Sequence, residues 1–174
     1  MATGKQNKLT GQIGEHLVAA KLGTMGILAT PFSGNVPGFD ISAVDPESGK
    51  TFVIQVKTST ANNPIRTTID KWAEFHIDEN GVQHVGKPLP LKNPKRIWVL
   101  VNVRDNDLTT ARYFIGTETE IQKLLIEDYT RFLEKVGFKR PRNPNSTTLI
   151  PTIKAVESLE DNWKLLQEDA HFGG

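Results

Sequence analysis

The chain has 174 residues, of which 37% are hydrophobic and 24% charged, and its formal net charge is +1. That length suits one soluble globular domain, about two-thirds of whose unfolded surface can be buried without disulfide or metal staples. A charge this close to zero excludes a broadly basic nucleic-acid binder, so any such contact must come from local patches. The absence of cysteine excludes disulfides, thiolate nucleophiles and cysteine zinc sites. The polar start, Met1 to Leu9, has no apolar segment of signal-peptide type. No apolar run approaches the roughly 20 residues of a membrane span. A cytoplasmic protein with no membrane association is expected.

In chain order, residues 9 to 22 are expected to form a helix. Ile13, Leu17 and Ala20 make an apolar line, Thr10 is the expected N-cap, and Gly23 and Gly26 end it. A strand over 27 to 32 closes on a Ser-Gly-Asn turn. Phe39 to Asp45 and Lys50 to Ser59 read as two strands of a hairpin joined by Pro46-Glu47-Ser48-Gly49. Residues 61 to 71 read as a polar loop. A strand from Glu74 to Asp78 enters a turn at Asn80-Gly81, and residues 85 to 94, with three prolines, are expected to be irregular. Arg96 to Val103 has the continuous apolar pattern of a strand buried on both faces, and Arg112 to Gly116 follows as another strand. Thr117 and Glu120 form a capping box. They open a helix to about Val136 whose inner face carries Ile121, Leu124, Leu125, Tyr129, Phe132, Leu133 and Val136, with Gly137 as its stop. A last helix over 157 to 168, capped by Ser158, completes the expected fold, an α/β architecture with a central mixed sheet flanked by helices.

The hairpin carries the chemistry. Side chains alternate along a strand, so Phe52, Ile54 and Val56 share one face, and Val53, Gln55 and Lys57 the other. If Asp45 pairs with Lys50, paired numbers sum to a constant and Asp40 falls opposite Gln55, about 5 Å away at Cβ. Asp40, Gln55 and Lys57 then cluster, while the opposite face is wholly apolar. A one-residue bulge would destroy this register. Glu15 lies three, four and seven residues before Val18, Ala19 and Leu22, at the edge of an apolar stripe where a carboxylate needs a partner or a cation. Two hard carboxylates suit Mg²⁺, with the Gln55 amide oxygen and the Val56 carbonyl as neutral ligands. Lys57 suits stabilisation of charge on a phosphoryl group. Individually these residues have simpler roles: Glu15 as a carboxylate in the N-terminal part of a helix, Asp40 and Lys57 as a surface ion pair. Their joint arrangement points to a metal site.

The segments Gly11-Gln12-Ile13-Gly14-Glu15, Gly38-Phe39-Asp40-Ile41 and Ile54-Gln55-Val56-Lys57-Thr58 together resemble the PD-(D/E)XK nucleases, the restriction-endonuclease-like fold. The resemblance covers about residues 9 to 60. The distal elements, 95 to 169, have no motif of their own, although Asp161-Asn-Trp-Lys-Leu-Leu is similar to the tail of some small members. The resemblance implies a single nuclease-like domain over residues 1 to 174 and Mg²⁺- or Mn²⁺-dependent hydrolysis of phosphodiesters in double-stranded or branched DNA. Glu15, Asp40, Gln55 and Lys57 would be its catalytic residues, and Asp40, Gln55, Val56 and Glu15 its metal ligands. Restriction enzymes, homing endonucleases, Holliday-junction resolvases and repair nucleases belong to the family. A homodimer is expected, because each active site cuts one strand. Gln55 departs from the usual Glu or Asp, a variation found in some homing endonucleases, and removes one negative charge from the site.

Two basic patches are candidate DNA contacts: Lys92, Lys95 and Arg96, and Lys139, Arg140 and Arg142 near Lys135. Solvated surface and a helix C-terminus that welcomes cations are the simpler explanation for either. Two further functions fit the same sequence: a catalytically idle nuclease fold acting as a DNA-binding or assembly subunit, and a protein-interaction module with an incidental Asp-Lys pair. The four histidines, His16, His76, His84 and His171, lack HExxH spacing, and no dinucleotide fingerprint, P-loop or nucleophile elbow occurs.

Overall fold

A computed structural model describes residues 4–32 and 38–168. The Ser-Gly-Asn turn at 33–35, position 169 of the distal region and His171 lie outside these residues. Helix α1 spans Gly4–Thr24 and leads into strands β1 (Leu28–Pro31), β2 (Ile41–Val44) and β3 (Thr51–Ser59). Two short strands, β4 (Thr67–Thr68) and β5 (Ala73–Ile77), precede β6 (Gln83–Pro88), β7 (Ile97–Asn102) and β8 (Arg112–Thr117). Helix α2 covers Glu118–Lys135, β9 covers Thr148–Leu149 and α3 covers Leu165–Glu168. Among the described residues the central sheet has five strands in the order β1-β2-β3-β7-β8. Its β3–β7 pair is parallel and the others antiparallel, so the sheet is mixed, as expected.

The two faces of β7 divide the interior. Ile97, Val99 and Val101 face α1, joining Val18, Leu22, Ile41, Ala43, Phe52, Ile54 and Val56 in one core. Trp98 and Leu100 face α2, joining Phe114, Ile121, Leu125, Tyr129 and Leu133 in the other. Every residue of β7 is buried, the outcome its unbroken apolar run requires. The capping box of α2 is complete: the Thr117 hydroxyl accepts from Glu120 N–H, and the Glu120 carboxylate accepts from Thr117 N–H.

Several local expectations are corrected. Helix α1 begins at Gly4, so Thr10 lies inside it and is not a cap. The segment Lys5 to Lys8 has no apolar period, yet its Lys and Gln residues extend a helix readily once the rest packs. Its buried line is Gly14, Val18 and Leu22, one position on from Ile13 and Leu17, while Ala20 is exposed. The helix ends in a Schellman arrangement, with Ile27 N–H on Leu22 O and Gly26 N–H on Gly23 O, and Gly26 takes the φ of +81° that this closure needs. The 61–71 loop contains β4 and a 3-10 turn at Ile69–Lys71 anchored by buried Ile69. Part of the 85–94 segment continues β6 beside β5, because Pro88 stands at the strand's end. The last helix is instead a 3-10 segment over Ile153–Leu159, capped by Thr152 and not by Ser158, followed after a break by α3.

Candidate metal centre

The hairpin pairs as expected: Ile41 with Ile54, Ser42 with Val53, Ala43 with Phe52 and Val44 with Thr51, so each pair sums to the same number. Asp45 N–H donates to Lys50 O, and Asp40 N–H donates to Ile54 O. The β2–β3 pairing stops at Ile41 with Ile54, while β3 runs on to Ser59, paired on its other side with β7. The β3 edge beyond Ile54 is therefore released from β2, and Asp40 turns its carboxylate onto it. Asp40 Oδ2 accepts from Val56 N–H at 2.7 Å and from the Gln55 side-chain amide. Gln55 is buried at 7% exposure, and its Nε2 also lies 3.4 Å from Val56 O.

Glu15 reaches this cluster from α1. Burial holds its carboxyl above the usual carboxylate value, and the Asp40 charge pushes in the same direction, while His16 and Lys57 oppose both. Glu15 is thus near enough to Asp40 and to Lys57 to feel their charges. Lys57 is exposed and makes no ion pair within 4.0 Å among the described residues. The close packing of α1 on β3 sets Glu15 there. A Cβ on the preceding Gly14 would overlap the Thr58 hydroxyl and lie 3.0 Å from the Thr58 Cβ, so the close approach requires glycine.

The donor set fits a hard divalent cation. Two carboxylates, a carboxamide and the Val56 carbonyl are oxygen-bearing groups of the kind Mg²⁺ takes. The amide nitrogen of Gln55 currently stands as the positive partner of two oxygens, Asp40 Oδ2 and Val56 O. Half a turn of that amide would present Oε1 to them instead, an arrangement a cation would stabilise. Among the described residues no three His, Cys, Asp or Glu side chains group as a metal site, and the side chain that meets Asp40 is the neutral amide of Gln55.

Two of the basic residues chosen as DNA contacts are committed within the fold. Arg96 Nη1 donates to Gly38 O at 2.7 Å, and its Nε lies 3.6 Å from Glu118. It braces the chain two residues before Asp40, where Gly38 has φ +99°. Arg140 Nη1 donates to Thr148 O at 2.6 Å, and the guanidinium lies over the rings of Tyr129 and Phe132. Lys92, Lys95, Lys139 and Arg142 are exposed. The brace at Gly38 was invisible to sequence reasoning, because 58 positions separate its partners. Asn102 was also missed: at 4% exposure, its Nδ2 donates to the carbonyls of Ser59, Ala61 and Asn63. The one signal for it was an amide ending an otherwise apolar strand.

No family model matches the chain. No curated protein matches it either. Among solved structures it is similar to a bacterial homing endonuclease, with 13% identity, a TM-score of 0.49 and coverage of 91% of each chain. It is also similar to Hjc, a Holliday junction resolvase from the archaeal hyperthermophile Archaeoglobus fulgidus. There the identity is 10% and the TM-score 0.37, with coverage of 85% of this chain and 93% of that one.

Proposed function

We propose that the chain is one restriction-endonuclease-like domain and a Mg²⁺- or Mn²⁺-dependent endonuclease that hydrolyses phosphodiester bonds in DNA. The observation that carries this reading is the convergence of Asp40, Gln55 and the Val56 backbone at the released edge of β3, with the charges of Glu15 and Lys57 beside them. Asp40, Glu15, Gln55 and Val56 O are the groups that would hold the cation. When bound, it lowers the pKa of a water nucleophile and neutralises charge on the scissile phosphate. Lys57, free of an ion-pair partner among the described residues, would supply the ammonium that stabilises charge growing on the phosphoryl oxygens during attack. Asp40 is oriented by Val56 N–H, a bond that a turn of the Gln55 amide leaves in place. DNA is the proposed partner. A homodimer would let two such sites cut both strands.

Supercoiled plasmid and branched DNA, incubated with the protein and Mg²⁺ or Mn²⁺, test this. Cleavage is expected with the cation and none in EDTA. Asp40→Asn and Lys57→Ala should each lower the rate by about 100-fold or more, since each removes charge stabilisation at the reacting phosphate. Cleavage that survives both substitutions would place the chemistry elsewhere. DNA binding without cleavage of any substrate would favour an idle, DNA-binding version of the fold.

A further inference from the structure

Beside the metal centre lies a second feature that the catalytic reading leaves unused. The two elements that carry Glu15 and Lys57 both run on, α1 toward its start and β3 toward its end, into a cleft of about 270 Å³. Asn7 and Thr10 line it from α1, and Thr58, Thr60, Asn63 and Arg66 from β3 and the loop after it. No carboxylate lines the cleft among the described residues, in contrast to the adjoining centre. Arg66 is exposed and makes no ion pair among the described residues. The Thr58 hydroxyl is buried without a hydrogen-bond partner.

The loop that forms the far wall is held in shape. Asn102 Nδ2 draws three of its carbonyls inward, those of Ser59, Ala61 and Asn63, at 3.3, 2.7 and 2.9 Å. Val103 N–H and Asp105 N–H add bonds to Ser59 O and Thr60 O. The acceptor groups of this backbone are thereby spent on the interior. Apart from Ala61 and Ile150, the side chains lining the cleft are hydroxyls, carboxamides and one guanidinium, all able to donate hydrogen bonds to an anion.

We propose that this cleft binds the sugar–phosphate backbone of the strand being cut, next to the scissile phosphate. Arg66 is its phosphate ligand, and Asn7, Thr10 and Asn63 supply neutral contacts to the backbone. The inference rests on the nuclease reading above and adds to it where the substrate strand lies. On this proposal a chain of net charge +1 holds DNA through a local cation without an ion-pair partner among the described residues, and a broad basic face is not needed.

Fluorescence anisotropy with a labelled duplex oligonucleotide, in Ca²⁺ and across a series of salt concentrations, tests the site. Arg66→Ala should weaken binding about tenfold, the loss of one charge-assisted contact. It should also make the slope of log K against log salt shallower by about 1. Arg66→Lys should restore the slope. Lys87→Ala, an equal charge change on β6 outside the cleft lining, should leave affinity and slope as in the unsubstituted protein. Thr10→Ala should weaken binding without altering the slope, since it removes no charge. If the unsubstituted protein binds the duplex and Arg66→Ala matches it in both affinity and slope, the strand lies elsewhere and the cleft assignment is wrong while the nuclease reading stands. If the unsubstituted protein binds no DNA, both fail together.

Discussion

At the scale of single residues, Gln55 sets the character of the site. A glutamate there would add a third carboxylate for a cation, but in the cation-free protein it would face Asp40 Oδ2 with a like charge in place of an N–H donor. The Gln55→Glu variant should therefore have a lower Tm than the unsubstituted protein in EDTA and recover with Mg²⁺ by more than the unsubstituted protein does. Stabilisation by a bound ion follows ligand concentration, reaching about 2.7 kcal/mol at a hundredfold excess over Kd. Thermal melts across a Mg²⁺ series would show it, and equal Mg²⁺ responses in the two proteins would mean position 55 does not face the ion. A second pair speaks to stability alone. Arg112 grips Glu160 through Nε and Nη2 at 2.6 and 2.7 Å and holds the Glu160 carboxyl below the usual carboxylate range. A depressed carboxylate stabilises the fold above its unfolded pKa, and the benefit is lost as pH falls through the folded value. Denaturant titrations should find Glu160→Gln less stable than the unsubstituted protein at pH 7 and level with it in acid below the carboxylate range.

At the scale of elements, the contact of α1 with β3 decides whether Glu15 can take part. Gly14 brings the helix backbone onto Thr58, and an added methyl group meets that side chain directly. Gly14→Ala gains helix propensity of about 1 kcal/mol. Forcing the overlap costs about 1–3 kcal/mol, so the variant should be destabilised or at best neutral. It should lose cleavage activity by more than its stability loss explains, because Glu15 moves with the helix. Adding Thr58→Ala should recover part of both, which a double-mutant cycle would quantify. Much at this scale was legible in the sequence. The hairpin register follows from one pairing, Asp45 with Lys50, because side-chain alternation propagates it without error when no bulge intervenes. The α2 capping box and the buried β7 are equally local signals. The start of α1 and the 3-10 form of Ile153–Leu159 were not legible, since both depend on packing and neither has a periodic apolar face.

At the scale of the whole molecule, the mixed sheet parts two cores and leaves the released edge of β3 between α1 and the Asp40 segment. Among the described residues no helix is long and apolar enough to cross a membrane. The meeting of Asp40 with Gln55 was legible because both lie on one short hairpin. What holds them was not, since Arg96 with Gly38 and Asn102 with the 59–63 carbonyls join positions far apart in sequence. The account turns on a divalent cation held by Asp40 and its neighbours. Mn²⁺ titration followed by electron paramagnetic resonance, with and without duplex oligonucleotide, measures that directly. One saturable Mn²⁺ site per chain is expected, lost in Asp40→Asn and weakened in Glu15→Gln. No saturable site with DNA present, or a site that Asp40→Asn leaves intact, would contradict it.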